Sequence, residues 1–296
     1  MKAILAFVIL LFVFNNAQSE PIRVTLLGTG GPPPVIERFG PGTLVQAGGE
    51  NLLFDVGRGA IQRLFQMKVP LKEVHAVFLT HLHSDHIVGI PDLYLTGWVN
   101  GRREVPFRVW APPGTKDMMT HMEKAFDFDI RIRLYDDLAA PEGILVQAHD
   151  IKEGIVYERN GVKVTAFEVD HRPIKPAFGY RIDYDGHSVV ISGDTRASEN
   201  LIRYSEGVDV LIHEVAVPES LIRAHYDSER MKTILNHHTM PEEAGELFHK
   251  IQPKLAVFSH VILPSATKEE VIAPTRKKFS GRVELGEDLM VIEIGE

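Results

Sequence analysis

The 296-residue chain has no cysteine. That absence excludes disulfides, thiolate metal ligands, cysteine nucleophiles and lipoprotein acylation together. A run long enough to cross a bilayer is also missing. The longest apolar stretch, Ala3–Phe14, has 12 residues, whereas a spanning helix needs about 20. Basic residues are in deficit, 32 against 40 acids, for a formal charge of −8. Phosphate contacts come from Lys and Arg, so this balance opposes nucleic acid as a general partner and leaves room only for a local basic groove. There is no short internal repeat, no low-complexity stretch and no long linker. With 44% hydrophobic and 24% charged residues, the chain has the balance of a globular protein with a sizeable core. What it holds in quantity is histidine, 14 residues. Any metal site must therefore be built from imidazole and carboxylate.

The first 19 residues read as an address. Lys2 precedes the apolar run, and Asn15-Asn16-Ala17-Gln18-Ser19 follows it. A basic start, a short apolar stretch and small residues make a secretory signal peptide, cut after Ser19 or, as second choice, after Ala17. The competing reading is an uncleaved N-terminal anchor. The expected location is periplasmic or secreted, with no stable membrane span after cleavage and one domain over 20–296.

After the signal, short β runs alternate with amphipathic segments. Strands are expected at Ile22–Leu27, Leu44–Ala47, Leu52–Asp55, Ala76–Leu79, Phe107–Trp110, Val162–Val169, Phe178–Tyr184, His187–Ser192, Val208–His213, Leu255–Ser259 and Leu289–Ile294. Gly48-Gly49 and Asp185-Gly186 mark hairpins. Helices are expected at Ala60–Met67, Ile87–Trp98, Gly114–Phe126, Pro241–Ile251 and Lys268–Lys278, the last broken at Pro274. His149–Glu158 reads as a modest loop. Strands in two runs with helices outside them predict a four-layered α/β sandwich in one domain.

The decisive segment is Thr80-His81-Leu82-His83-Ser84-Asp85-His86, directly after a buried strand. Alternate residues of an extended chain point the same way, so His81, His83 and Asp85 can converge, and His86 turns into the next helix. Imidazoles and a carboxylate this close need something positive to organise them. His171, Asp194 and His260 each follow an apolar strand. Strand ends collect at one edge of a sheet, so these groups are placed to meet the first cluster.

This pattern resembles the metallo-β-lactamase superfamily over essentially the whole mature chain. His81–His86 matches the HxHxDH motif, and His171, Asp194 and His260 match the later ligands in order. The resemblance implies an αββα sandwich with two metals at the sheet edge, usually zinc, other divalent ions being admissible. It places His81, His83 and His171 on one metal, Asp85, His86 and His260 on the other, and Asp194 between them. Asp85 would also orient the attacking water, and Asp55 would support the site from behind. Two such ions generate a nucleophile from water near neutral pH and stabilise charge on the substrate oxygen. The implied reaction is hydrolysis of an ester, amide or phosphoester.

Three features narrow the branch. The absence of cysteine disfavours the lactamases that hold their second metal with it. His213-Glu214-Val215-Ala216 and His237-His238-Thr239 resemble the HEAT-like and HxT-like motifs of ribonuclease Z and its relatives. In that branch a Glu and a His, here Glu214 and His238, pair to protonate the leaving group, although the adjacent His237 competes for that role. Third, the tRNA-gripping arm of ribonuclease Z is an insertion after the His171-equivalent ligand, and only 22 residues separate His171 from Asp194. The segments around Arg38–Val45 and Asp55–Gly59 look more like exported arylsulfatase-like members. The expected function is thus an exported dinuclear zinc hydrolase of small anionic esters, arylsulfate or phosphodiester, with nucleic acid disfavoured. Ribonuclease Z-type cleavage at tRNA 3′ ends is the alternative, followed by lactonase or β-lactamase activity and a non-catalytic metal binder. Arg58, Arg172 and Lys175 are candidates for steering the anion, and Tyr94, Trp98 and Phe178 for an aryl-binding wall, with core packing the favoured reading for two of those three. Relatives in this branch are often homodimers.

Intact mass of the chain recovered outside the cytoplasm is expected to begin at Glu20; a mass that retains residues 1–19 would sink the signal-peptide reading.

Overall fold

Strands buried on both faces read as near-continuous apolar runs. Val210–Val215 and Leu255–Val261 are buried at every position. Each therefore needs a layer on either side, and the structure supplies both. The computed structural model describes residues 20–136, 139–263 and 265–295. The expected signal segment, 1–19, lies outside the described residues.

In chain order the strands are β1 (Ile22–Gly28), β2 (Gly42–Ala47), β3 (Glu50–Phe54), β4 (Ala76–Phe78), β5 (Phe107–Ala111), β6 (Val146–Asp150) and β7 (Gly154–Arg159). They continue with β8 (Val162–His171), β9 (Ile174–Tyr184), β10 (His187–Ile191), β11 (Val210–Val215), β12 (Leu255–Val261), β13 (Val283–Leu285) and β14 (Val291–Ile294). Among the described residues they form two seven-stranded sheets, ordered β14-β1-β2-β3-β4-β5-β6 and β13-β12-β11-β10-β9-β8-β7. Each sheet is antiparallel at one end and parallel at the other, with β3 through β6 parallel in the first and β10 through β13 parallel in the second. Parallel neighbours need crossovers, and the helices between them cover the outer faces.

Three apolar clusters fill the layers. One lies between the sheets and includes Phe54, Phe78, Tyr180 and Val257. A second packs helices Ala60–Gln66 and Ile90–Val99 on the first sheet, and a third packs helix Pro241–Ile251 on the second. This is the αββα sandwich that the sequence predicts. Across the inner face of the first sheet, rings from adjacent strands stack as Phe54–Phe78 at 4.9 Å, Phe78–Trp110 at 5.5 Å and Trp110–His149 at 4.7 Å. Stacked and tilted pairs of this kind add to simple area burial.

The local expectations meet four differences. The helix expected at Ile87–Trp98 is two, Ser84–Ile87 and Ile90–Val99, because Gly89 packs against the backbone of Val56 and Gly57. His149–Glu158 is no loop: β6 and β7 form the matching edges of the two sheets there. Their exposed alternate residues gave no apolar run to detect. Helix Lys268–Arg276 passes through Pro274 unbroken. A proline inside a helix costs about 3 kcal/mol. Here the Thr275 hydroxyl donates to the Pro241 carbonyl at 3.0 Å and to the Val271 carbonyl at 2.8 Å, which holds the turn against helix Pro241–Ile251. Finally, Tyr94, Trp98 and Phe178 line no wall. All three are buried in the core, with Tyr94 donating to the Ile144 carbonyl and Trp98 to the Ala140 carbonyl.

Phe78 touches four other rings. Phe78→Ala is expected to cost roughly 3–5 kcal/mol in urea denaturation; a loss under about 1 kcal/mol would show that the ring stack carries no packing weight.

Candidate metal centre

In open sheets, ligands collect beyond the carboxyl ends of parallel strands. Asp55 follows β3, His81 to His86 follow β4, Asp194 follows β10, Glu214 lies near the end of β11 and His260 near the end of β12. His171 closes β8, which runs in the same direction as β10 because both pair antiparallel with β9. One edge of the sandwich thus receives side chains from six strands.

They meet in two groups. His81, His83, His171 and Asp194 bring ligand atoms within 4.8 Å of one another, and so do Asp85, His86 and His260. Asp194 faces both. Its Oδ2 lies 3.8 Å from His81 Nε2 and 3.9 Å from His171 Nε2, while its Oδ1 lies 3.1 Å from His260 Nε2 and 3.4 Å from His86 Nε2. Asp85 Oδ2 is 3.6 Å from His260 Nε2 and 3.7 Å from His86 Nε2.

Backbone geometry is bent to reach this arrangement. Asp55 and His260 are non-glycine residues in the left-handed region, at φ 57° and 44°. Such outliers concentrate where surrounding structure holds a site in place. Gly193, just before Asp194, has φ 62°, and a Cβ there would sit 2.7 Å from the Phe178 carbonyl oxygen. Only glycine fits that turn.

The ring orientations are fixed from behind. His86 Nδ1 lies 2.7 Å from Asp55 Oδ2, and His171 Nδ1 lies 3.0 Å from the His237 carbonyl. Donating Nδ1–H to these acceptors turns the Nε2 lone pairs inward. Asp55 is held in turn by the Thr80 amide and hydroxyl, at 2.8 and 2.9 Å. The sequence reading missed Thr80 and the His237 carbonyl. Thr80 opens the histidine segment and was visible there, but a backbone acceptor has no signature in sequence.

The donor set fits two divalent cations. Burial, the largest influence, pushes His81 well below ordinary imidazole basicity and also lowers His83 and His171, so neutral nitrogens face inward. His81 Nε2 and His83 Nδ1 are 2.9 Å apart, and His86 Nε2 and His260 Nε2 are 3.0 Å apart. Lone pairs so close beside carboxylates repel unless positive charge lies among them. Asp194 Oδ1 is buried with no hydrogen-bond partner. Burial also opposes a charge on His86, yet Asp194 and Asp55 raise its protonation well above the ordinary range, a measure of how strongly the pocket draws positive charge. Nitrogen and carboxylate donors without sulfur suit zinc and similar ions.

Beside this centre, His238 Nδ1 lies 3.4 Å from Glu214 Oε1 and 3.9 Å from Asp194 Oδ2. The Thr239 and Thr195 amides donate to Glu214 Oε1 at 2.9 and 3.3 Å. Burial pushes His238 down, but Glu214 and then Asp194 outweigh it and hold the imidazole up at about 9. Of the adjacent pair, His238 therefore faces Glu214, while His237 serves His171 through its carbonyl. The anion-steering candidates are spread more widely. Arg172 is exposed and bound in two contacts to Asp170, at 2.8 and 2.7 Å, which Arg196 also holds at 2.7 Å. Lys175 is exposed near the start of β9. Arg58 lines a neighbouring surface pocket with Ile36, Phe39 and Gln62.

Comparison with known proteins agrees with this geometry. The beta-lactamase superfamily domain matches residues 50–261. Ribonuclease Z of Mycobacterium marinum is 37% identical over 279 residues, covering 92% of this chain and 99% of that one. The metallo-β-lactamase fold protein YhfI of Bacillus subtilis superposes with a TM-score of 0.71 at 22% identity, over 93% of this chain and 100% of that one. The short form of human tRNase Z does so with a TM-score of 0.68 at 22% identity, over 92% and 99%. At those identities the two structures speak for the fold alone. The expectation that disfavoured nucleic acid is corrected here: along nearly its full length the chain resembles an enzyme named for cutting RNA. That expectation rested on the export signal, the missing arm and net charge, and net charge sums over the whole surface while RNA contacts are local.

Asp55→Asn is expected to weaken zinc binding by about 10–100-fold at the site that includes His86, read by competition with a chromophoric chelator; two zinc ions bound as tightly as in the unaltered chain would refute the orienting role of Asp55.

Proposed function

The chain belongs to the metallo-β-lactamase superfamily and is a metal-dependent hydrolase; from that premise we propose that it is a phosphodiesterase that cuts RNA in the manner of its ribonuclease Z relatives. The observation that carries this reading is the Glu214–His238 pair beside Asp194. RNA cleavage at a phosphodiester expels an alkoxide, a poor leaving group that needs a proton as the bond breaks. His238 is placed to give it. Glu214, 3.4 Å away, raises the proton affinity of the ring, and two backbone amides fix Glu214. When bound, two divalent ions acidify water and neutralise charge on the phosphoryl group. Asp85, 8% exposed at the edge of the centre, is placed to accept a hydrogen bond from the attacking water and aim it. Hydrolysis of an arylsulfate breaks the bond from sulfur to the aryl oxygen, expels a weakly basic aryl oxide and has less need of such a donor. The motif-level likeness in Leu211–Ala216 and Asn236–Met240 supports the same choice.

The reading of Lys2 and Ala3–Phe14 as an export signal extends the proposal to location: the enzyme acts on RNA outside the cytoplasm. Its substrates there are RNA strands at large, with precursor tRNA one member of the class.

The test is a panel of single-stranded RNA, precursor tRNA, bis-p-nitrophenyl phosphate and p-nitrophenyl sulfate. RNA and the phosphodiester are expected to turn over, to stop with chelator and to resume with zinc. Turnover of the sulfate ester alone would overturn the RNA reading. His238→Ala is expected to lower RNA cleavage by about 10²–10⁴-fold and bis-p-nitrophenyl phosphate cleavage much less; equal losses on both would remove His238 from the donor role.

A further inference from the structure

Between Glu214 and His238 the chain leaves the sheet edge as two helices, Pro218–Arg223 and Ser228–Leu235. The second has no buried residue. Where the two meet, His225, Tyr226, Asp227 and Arg230 line a cavity of about 470 Å³ whose other wall includes Pro33 and Leu263. Leu263 lies three residues beyond His260. The Val261 amide donates to the Thr29 carbonyl at 2.8 Å, and the Ile262 amide to the Val215 carbonyl at 3.0 Å. These bonds tie the Pro33 and Leu263 wall to the strand that carries His260, so the cavity lies a few residues along the chain from the metal centre.

Its chemistry is selective. The Arg230 guanidinium lies 4.3 Å from the centroid of the Tyr226 ring. Arg230 is exposed and, among the described residues, forms no ion pair. Asp227 Oδ1 accepts from the Arg230 amide at 2.8 Å and caps the helix. Among the described residues its Oδ2 has no partner. A free phosphate would meet that carboxylate and be repelled. A ribonucleoside would not. Its base can stack on the guanidinium or the ring, its 2′-hydroxyl can donate to a carboxylate, and the phosphate that follows can reach the arginine.

We propose that this cavity is a ribonucleotide subsite: Tyr226 and Arg230 stack a base that flanks the scissile phosphate, and Asp227 accepts its 2′-hydroxyl, so that the enzyme prefers RNA to DNA. The proposal rests on the RNA reading above and adds the residues that grip the strand. The grip sits on the segment that links Glu214 to His238 but, among the described residues, makes no hydrogen bond or ion pair with either, so its effect falls on binding.

The experiment uses the full zinc-loaded chain with an oligoribonucleotide, the matching oligodeoxyribonucleotide and bis-p-nitrophenyl phosphate. Tyr226→Ala and Arg230→Gln are expected to raise KM for RNA about tenfold, with kcat and all bis-p-nitrophenyl phosphate turnover within about twofold. Asp227→Asn keeps a helix-capping oxygen and is expected to erase most of the difference in KM between RNA and DNA. Unchanged KM for RNA in all three variants overturns the subsite. So does a parallel loss on bis-p-nitrophenyl phosphate, which marks a structural role. A wild-type chain that cleaves the small phosphodiester but no RNA overturns the RNA reading instead. In that event, equilibrium binding of adenosine monophosphate to the full chain judges the subsite separately: weaker binding by Tyr226→Ala than by wild type sustains it, and equal binding overturns it.

Discussion

A single carboxylate, Asp194, faces two groups of imidazoles at once, and the rest of the edge is built to hold those groups a few ångströms apart. Burying a carboxylate among neutral nitrogens is costly unless positive charge joins them. No flexible loop would hold seven such donors together against that cost. The sandwich does so by letting them ride on the ends of strands whose remaining residues are locked in the core. Orientation comes from behind: Asp55 on His86, the His237 carbonyl on His171, and Thr80 on Asp55. The centre is thus a property of the sheets, with loops only finishing it.

The rim is fixed by a second carboxylate of a different kind. Asp288 accepts from the Thr29 amide and hydroxyl, the Phe39 amide and the Arg63 guanidinium, at 2.8 to 2.9 Å. Its side chain is 5% exposed. Four charge-assisted or well-aligned bonds satisfy a buried carboxylate nearly completely. They bind the Pro-rich segment after β1 and helix Ala60–Gln66 to the turn before β14. Arg63 then lies over the Phe39 ring at 4.1 Å.

The metal ligands were legible because their signal is either local or attached to a strong one. His81 to His86 lie within six residues, and His171, Asp194 and His260 follow strands whose apolar runs are hard to misread. The four-layer fold was legible for the same reason. What escaped the sequence was of two kinds. Half-exposed edge strands such as Gly154–Arg159 carry no apolar run, and helix Asp127–Tyr135 has no buried residue to impose a period. Functional contacts made by backbone, as at His237, leave no residue type to find. Tyr94, Trp98 and Phe178, for two of which core packing is the favoured reading of the sequence, show the opposite difficulty. Large aromatics near a site in sequence are drawn into the core by their area, and nothing local distinguishes wall from filling.

The whole-chain charge misled for a reason that the centre itself explains. A count of −8 scores Asp85 and Asp194 as negative. Loaded with two divalent ions, five histidines and two carboxylates form a net positive centre. Charges farther than a Debye length of about 8 Å act weakly across salt water. An anion arriving at this edge would therefore meet the loaded centre first, while acids on distant faces are screened from it. The inference from net charge to partner fails because it averages over a surface far larger than the one edge where a substrate would meet the centre.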